Sequence, residues 1–444
     1  MNKTLNKLLA GMSAVWLAFA VPAEAKLFDM QEFYLDNGLQ VIVIPNYKAP
    51  IIKQMVWYKA GSVDEAAGKG GTAHLLEHLM FRGTDKIKGA EFNAIIQENG
   101  GVSNAFTAQD YTAYHELSDI SRLELMMYME ADRMQNLKIT PEDFARERDI
   151  VYQERMQVVE NSPTAYFGES FRRNLWQEHP YSRPVTGMPE EIMSLTIDDV
   201  NDFYQKYYAP NNAILVLSGD INYAAARELA QKYYGGIPSR KVGSKAQFPK
   251  LNKYSETTMK MELPQINTRR FIRSYIVPSY NQDKNASYAL TVLSRYLGEG
   301  DTSELYRKLV VEDGIAIAAE TSYDGTARGS GSFTISALPK SGVSNEEFEK
   351  KLNNAIQEAL EELNAEELQK VKRKMLAGII YLKDNPGDAA MIVGSMAASG
   401  MSVEDIEEYD ADINAVTLGE VKKAADGLKK SINVQGILAP AQGA

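Results

Sequence analysis

The 444-residue sequence contains no cysteine and only four histidines. The missing thiols exclude disulfides, thiolate nucleophiles and cysteine-ligated metals, so any bound metal must be held by His, Asp or Glu. Basic residues are also in deficit. Against 59 Asp and Glu stand 48 Lys and Arg, a formal net charge of −11. A chain with that field and no basic stripe repels nucleic-acid phosphates and suits peptides or small molecules, basic ones included. The bland reading of the same charge is solubility alone. Long apolar runs are missing apart from one at the start, so no stable membrane span is expected. What remains is an ordinary globular balance, 44% apolar and 24% charged, in a chain long enough for two or more compact units.

The one apolar run lies in MNKTLNKLLAGMSAVWLAFAVPAEAK. Lys3 and Lys7 supply a positive start, Leu8 to Ala20 is apolar, and Ala23-Glu24-Ala25 is a small-x-small site. This is the pattern of a secretory signal peptide over residues 1–25. A membrane anchor is the competing reading, and the short run and the cleavage pattern weigh against it. The expected mature protein is exported, most simply to a bacterial periplasm.

After the leader, QVIVIP and IKQMVWYKAG have the alternating or continuous apolar character of strands, with Asn37-Gly38 as a turn. Helical spacing follows over about 71–81, 123–136 and 141–159, with Pro141 suited to a first turn. VSNAFTAQDYTAYHEL is a further strand region and AILVLSGD a buried strand. The polar stretch 241–258 separates two halves, 26–240 and 259–444, whose elements follow a similar order. The expected fold is α+β: two duplicated domains, each an antiparallel sheet backed by helices.

Two of the four histidines fall in GTAHLLEHLMFRGT, at His74 and His78. Positions four apart share a helical face, so both imidazoles can address one ion. Glu77 is on the same side but next to His78, where it can reach a water on that ion rather than the ion itself. Two ligands and a general base in the order H-x-x-E-H is a metallohydrolase pattern. The alternative is a pair of structural histidines. A third ligand must come from elsewhere. ARERDIVYQERMQVVEN offers Glu147 and Glu154, seven apart and hence two turns along one face. One can bind metal while the other orients a ligand, although a solvated acidic face would show the same spacing.

The motif, the later glutamates and the segments GSVDE, GGVSNAFTAQDYTAY, HPYSRPVTG and YYAPNNAILVLSGD together resemble the pitrilysin, or M16, family of peptidases. The resemblance covers nearly all of the chain after the leader. It is greatest to the small two-domain type that includes mitochondrial processing peptidase. It implies one zinc ion held by His74, His78 and Glu154, with Glu77 as the base and Glu147 behind a ligand. It implies a peptide substrate held as an added strand along Asn104, Ala105 and Phe106. The bland reading of the Phe106 side chain is core packing. The resemblance leaves His179 as structural, the strand region around His115 gives it the same reading, and the resemblance implies a clamshell of which this chain forms one half.

One departure stands out. The family takes an Arg and a Tyr from its second half to stabilise the developing oxyanion. In TSELYRKLVVEDGIAIAAE those positions are Val310 and Ile317, both aliphatic. Arg295, Tyr296, Tyr306 and Arg307 are close in sequence but out of register. The expectation is therefore a heterodimer with an M16-like subunit that carries the Arg and Tyr and lacks H-x-x-E-H. A non-catalytic peptide-binding or structural subunit is the alternative.

Overall fold

The computed structural model describes residues 26–89, 91–249, 251 and 257–441. The expected signal peptide, residues 1–25, lies outside the described residues, as does part of the expected linker. The chain forms strands β1 (Gln31–Tyr34), β2 (Gln40–Pro45), β3 (Ile51–Tyr58), β4 (Val102–Thr107), β5 (Thr112–Asp119) and β6 (Ala213–Gly219) in its first half. The second half has β7 (Thr257–Leu263), β8 (Arg270–Val277), β9 (Ala316–Asp324), β10 (Gly331–Pro339) and β11 (Asn433–Pro440). Strand β7 starts within the last two residues of the stretch expected to be linker, because Thr257 and Thr258 find partners on β11.

The first sheet has the order β1-β2-β6-β3-β5-β4 and the second β7-β11-β8-β10-β9. Set β1 aside and the two orders correspond strand for strand. Each also holds one parallel pair, β2 with β6 and β7 with β11, in an otherwise antiparallel ladder. The expected sheets were antiparallel throughout. The parallel pair arises because the last strand of each half returns to lie beside its first long strand after a helical excursion. Strands β4 and β9 occupy equivalent free edges.

Strand β2 is apolar at successive residues rather than alternate ones because both of its faces are covered. One face packs in the core with the helix Thr72–Leu79, the helix Leu123–Asn136 and the helix Ile197–Tyr207. The other receives the helix Pro386–Ser399, which comes from the second half. That helix carries mostly small residues, PGDAAMIVGSMAAS, and approaches closely. A Cβ at Gly394 would lie 2.1 Å from Trp57 Nε1. The exchange is mutual. Phe167 and Phe171 of the first-half helix Pro163–Trp176 lie against β11, where a Cβ at Gly436 would meet Phe171 at 2.6 Å. A polar tie adds to this. Arg328 donates to both oxygens of Asp64, at 2.8 and 3.0 Å, and Tyr181 joins Asp110 to Gly329.

Interlocked cores of this kind should unfold together. Gly394→Ala forces Trp57 or the helix to move, and overpacking of this sort costs about 1–3 kcal/mol. We expect a lowered thermal midpoint, with Trp fluorescence and far-UV circular dichroism melting in one shared transition. Two separated transitions would show that the halves are independent.

Candidate active site

The helix Thr72–Leu79 divides its faces. Ala73, Leu75, Leu76 and Leu79 are buried in the first-half core. His74, Glu77 and His78 turn away from it, toward the helix Pro141–Arg155. Thr140 caps that second helix by accepting the N–H of Asp143 at 3.1 Å, and Pro141 fills its first turn. The two helices bring Glu154 Oε2 to 3.8 Å from His74 Nε2 and 3.4 Å from His78 Nε2. Donor atoms of His74, His78 and Glu154 all lie within 4.8 Å of one another, the only such group among the described residues. This is the triad expected from the sequence.

Burial and the neighbouring His78 push His74 down to about 3, so its imidazole is neutral and keeps a lone pair for a ligand bond. For His78 burial acts downward too, but the bond to Glu147 and the charges of Glu77, Glu154 and Glu147 outweigh it and raise the group. Glu147 is buried and lies 3.3 Å from His78 Nδ1, which leaves Nε2 facing Glu154. Its other oxygen is held by Arg82 at 2.6 Å. Glu147 is thus placed to orient His78 from the side away from Glu154. Two imidazoles and a carboxylate are the donor set of a catalytic zinc ion, so the residues present fit the metal that the motif implies.

Glu77 receives a hydrogen bond from Thr107 Oγ1 at 2.6 Å. Burial raises the Glu77 carboxyl, and the bond from Thr107 and the charge of His78 only partly offset this. A carboxylate so placed beside the triad can act as a base near neutral pH. Thr107 was absent from the sequence expectation. It stands two residues beyond Ala105 on β4, and the two-residue period of a strand places it on the side facing the helix. Arg82 was missed too, although it follows His78 by four.

The strand residues divide. Asn104 is exposed on the free-edge strand, and its Oδ1 accepts the Ala105 N–H at 2.9 Å. Ala105 faces the core. The Phe106 ring packs edge-to-face on Trp57 at 5.5 Å, so its side chain serves packing, and its backbone faces Ala113 of β5, which leaves the Ala105 backbone on the free edge. His115 lies 2.6 Å from Lys53 Nζ, and His179 is buried against Trp176 and Phe248. Both stand outside the triad.

The description "Insulinase (Peptidase family M16)" matches residues 40–188, and "Peptidase M16 inactive domain" matches 194–375. The chain belongs to peptidase family M16. A zinc protease of Helicobacter pylori, PqqE, is 28% identical over 95% of both chains. A zinc protease of Rickettsia felis is 25% identical over 91% of this chain and 96% of its own. A protease crystal structure from Helicobacter pylori superposes with a TM-score of 0.86 at 27% identity, covering 93% of this chain and 99% of that one. The fold also matches the first half of the periplasmic protease PqqL of Escherichia coli, with a TM-score of 0.76 at 17% identity and 92% of each chain covered. Against whole PqqL, this chain covers 47% of the length. The M16 matches divide the chain as the metal residues do, since all of them lie in the first segment.

The bond from Thr107 favours the charged form of Glu77, so removing it raises that carboxyl further. Thr107→Val should move the acid limb of the kcat/KM profile to higher pH, read by rate measurements across pH 5–8. Glu147→Gln should weaken metal binding about tenfold to a hundredfold, measured by chelator competition.

Proposed function

We propose that this M16 chain is a zinc metallopeptidase that hydrolyses extended or unfolded peptides. The observation that carries the reading is the meeting of His74, His78 and Glu154 with Glu77 fixed alongside by Thr107. A zinc ion held by that triad would supply a Lewis acid for the scissile carbonyl and acidify a water. Glu77 is positioned to take a proton from the attacking water and return it to the leaving amine. The free edge of β4 accepts the substrate backbone as an added strand. Its Ala105 N–H, occupied by the Asn104 side chain, passes to the incoming peptide. A site of this type selects for an extended main chain, which a folded protein does not offer.

Export to a periplasm is supported by the leader-like residues 1–25 and by the fold shared with PqqL, a periplasmic protease. No helix among the described residues is long and apolar enough to cross a membrane.

A partner subunit belongs to the same reading. Val310 packs on the second core and Ile317 lies exposed on β9, and neither can donate a hydrogen bond. Three of the four nearby donors are engaged. Arg307 pairs with Glu304, Glu312 and Glu362, Arg295 pairs with Glu299, and the Tyr296 hydroxyl donates to Ala359 O at 2.7 Å. Stabilisation of the oxyanion then falls to an M16-like chain that brings Arg and Tyr and lacks the metal motif. That this chain covers about half of PqqL agrees with a two-chain clamshell.

The test is cleavage of a quenched, extended peptide by the zinc-loaded chain, alone and with candidate partners. Cleavage is expected only with a partner, and Glu77→Gln should reduce it about a hundredfold to ten-thousandfold. Full turnover by the isolated monomer would remove the partner. Zinc binding without turnover under any pairing would favour a peptide-binding subunit.

A further inference from the structure

We propose that the Thr186–Gly187 turn is a bracket that sets the distance between the histidine pair and Glu154, with Thr186 as a positioning residue. The inference rests on the metal-site reading above. The turn touches both ligand-bearing helices, one just ahead of its first turn, which carries His74, and the other in its last turn, beside Glu154.

On the Glu154 side the contact runs through Arg155, the next residue. Its guanidinium is fully buried. It donates to Glu160 at 2.8 Å, to the two oxygens of Glu169 at 2.5 and 2.7 Å, and to Thr186 Oγ1 at 3.2 Å. Glu154 and Arg155 share the last turn of their helix, so fixing one side chain fixes the backbone that presents the other.

On the histidine side the contact is backbone to backbone. Gly71 precedes the helix Thr72–Leu79 at φ +88°, and a Cβ there would lie 2.9 Å from Thr186 O. Gly187 has φ +76°, and its Cβ would meet Gly70 O at 2.5 Å. Both positions lie in the left-handed region that glycine adopts without strain. No side chain fits between the two segments. The same end of the helix has no capping side chain of its own. Glu65 supplies one, accepting the N–H of Gly71 at 3.2 Å and of Ala73 at 2.8 Å, while Arg183 holds Glu65 O at 2.9 Å. Arg183 stands three residues before Thr186 in the same loop. One loop therefore grips the start of one helix and the end of the other.

Metal bonds tolerate errors of only about 0.2 Å, so a turn that sets the spacing of the two helices sets affinity. Thr186→Val keeps the shape, removes the bond between the turn and Arg155, and leaves one guanidinium N–H without an acceptor while Glu160 and Glu169 still hold the group. Zinc affinity is read by competition with a chromophoric chelator on the purified protein. The dissociation constant should rise about tenfold in Thr186→Val and return close to the original in Thr186→Ser. The thermal midpoint of the metal-free protein should fall modestly in Thr186→Val, by the cost of one unpaired buried N–H, and recover in Thr186→Ser. In a Glu154→Gln background the Thr186→Val step should change affinity by less than about twofold, since the ligand it positions is gone. An equal loss in both backgrounds, or equal affinity of Thr186→Val and the parent protein, would overturn the bracket alone. A parent protein that binds no zinc would overturn the metal reading and the bracket with it.

Discussion

The helix Thr72–Leu79 must satisfy two demands with eight residues. Its leucines bury into the first-half core, and its histidines and glutamate face the opposite way. The 3.6-residue period makes both possible only if the helix neither rotates nor slides. Rotation would expose leucine and bury charge, so the hydrophobic face fixes the angle. Sliding is opposed at the N-terminus, where Gly70 and Gly71 abut the Thr186–Gly187 turn and Glu65 caps the first N–H groups. The placing of His74 and His78 is thus a by-product of core packing and of one tight backbone contact.

Behind the triad the side chains are ordered in layers. Arg82 holds Glu147, Glu147 holds His78, and Thr107 holds Glu77. Each link comes from a different element: the segment after the histidine helix, the second helix and the free-edge strand. Catalytic geometry at this site is therefore a property of the assembled first half. The second half contributes structure to it rather than chemistry. Its small-residue helix Pro386–Ser399 covers the back of the sheet that carries β4, and Arg328 ties down Asp64 just ahead of the histidine helix.

Duplication explains both the resemblance of the halves and their difference. Sheet orders match strand for strand, and β4 and β9 stand at equivalent edges. Strand β4 carries Asn104 and Thr107 beside a metal triad. Strand β9 carries the exposed Ile317. The second half, which has no counterpart of the His74–His78–Glu154 group among the described residues, keeps the fold because the fold depends on burial, which aliphatic residues serve equally well.

The sequence by itself determined the local chemistry. Spacing of four placed His74 and His78 on one face, spacing of seven placed Glu147 and Glu154 on another, and apolar periodicity located the strands and helices. Family resemblance then chose Glu154 over Glu147 for the metal; Glu154 lies beside both imidazoles, and Glu147 beside His78 Nδ1. Local periodicity could not show what lies between elements distant in the chain. The Thr107 bond to Glu77, the parallel strand pairs, the exchange of helices between halves and the grip of the Thr186–Gly187 turn all join residues separated by tens to hundreds of positions. Only tertiary structure decided these, because they depend on which surfaces meet once both cores are closed.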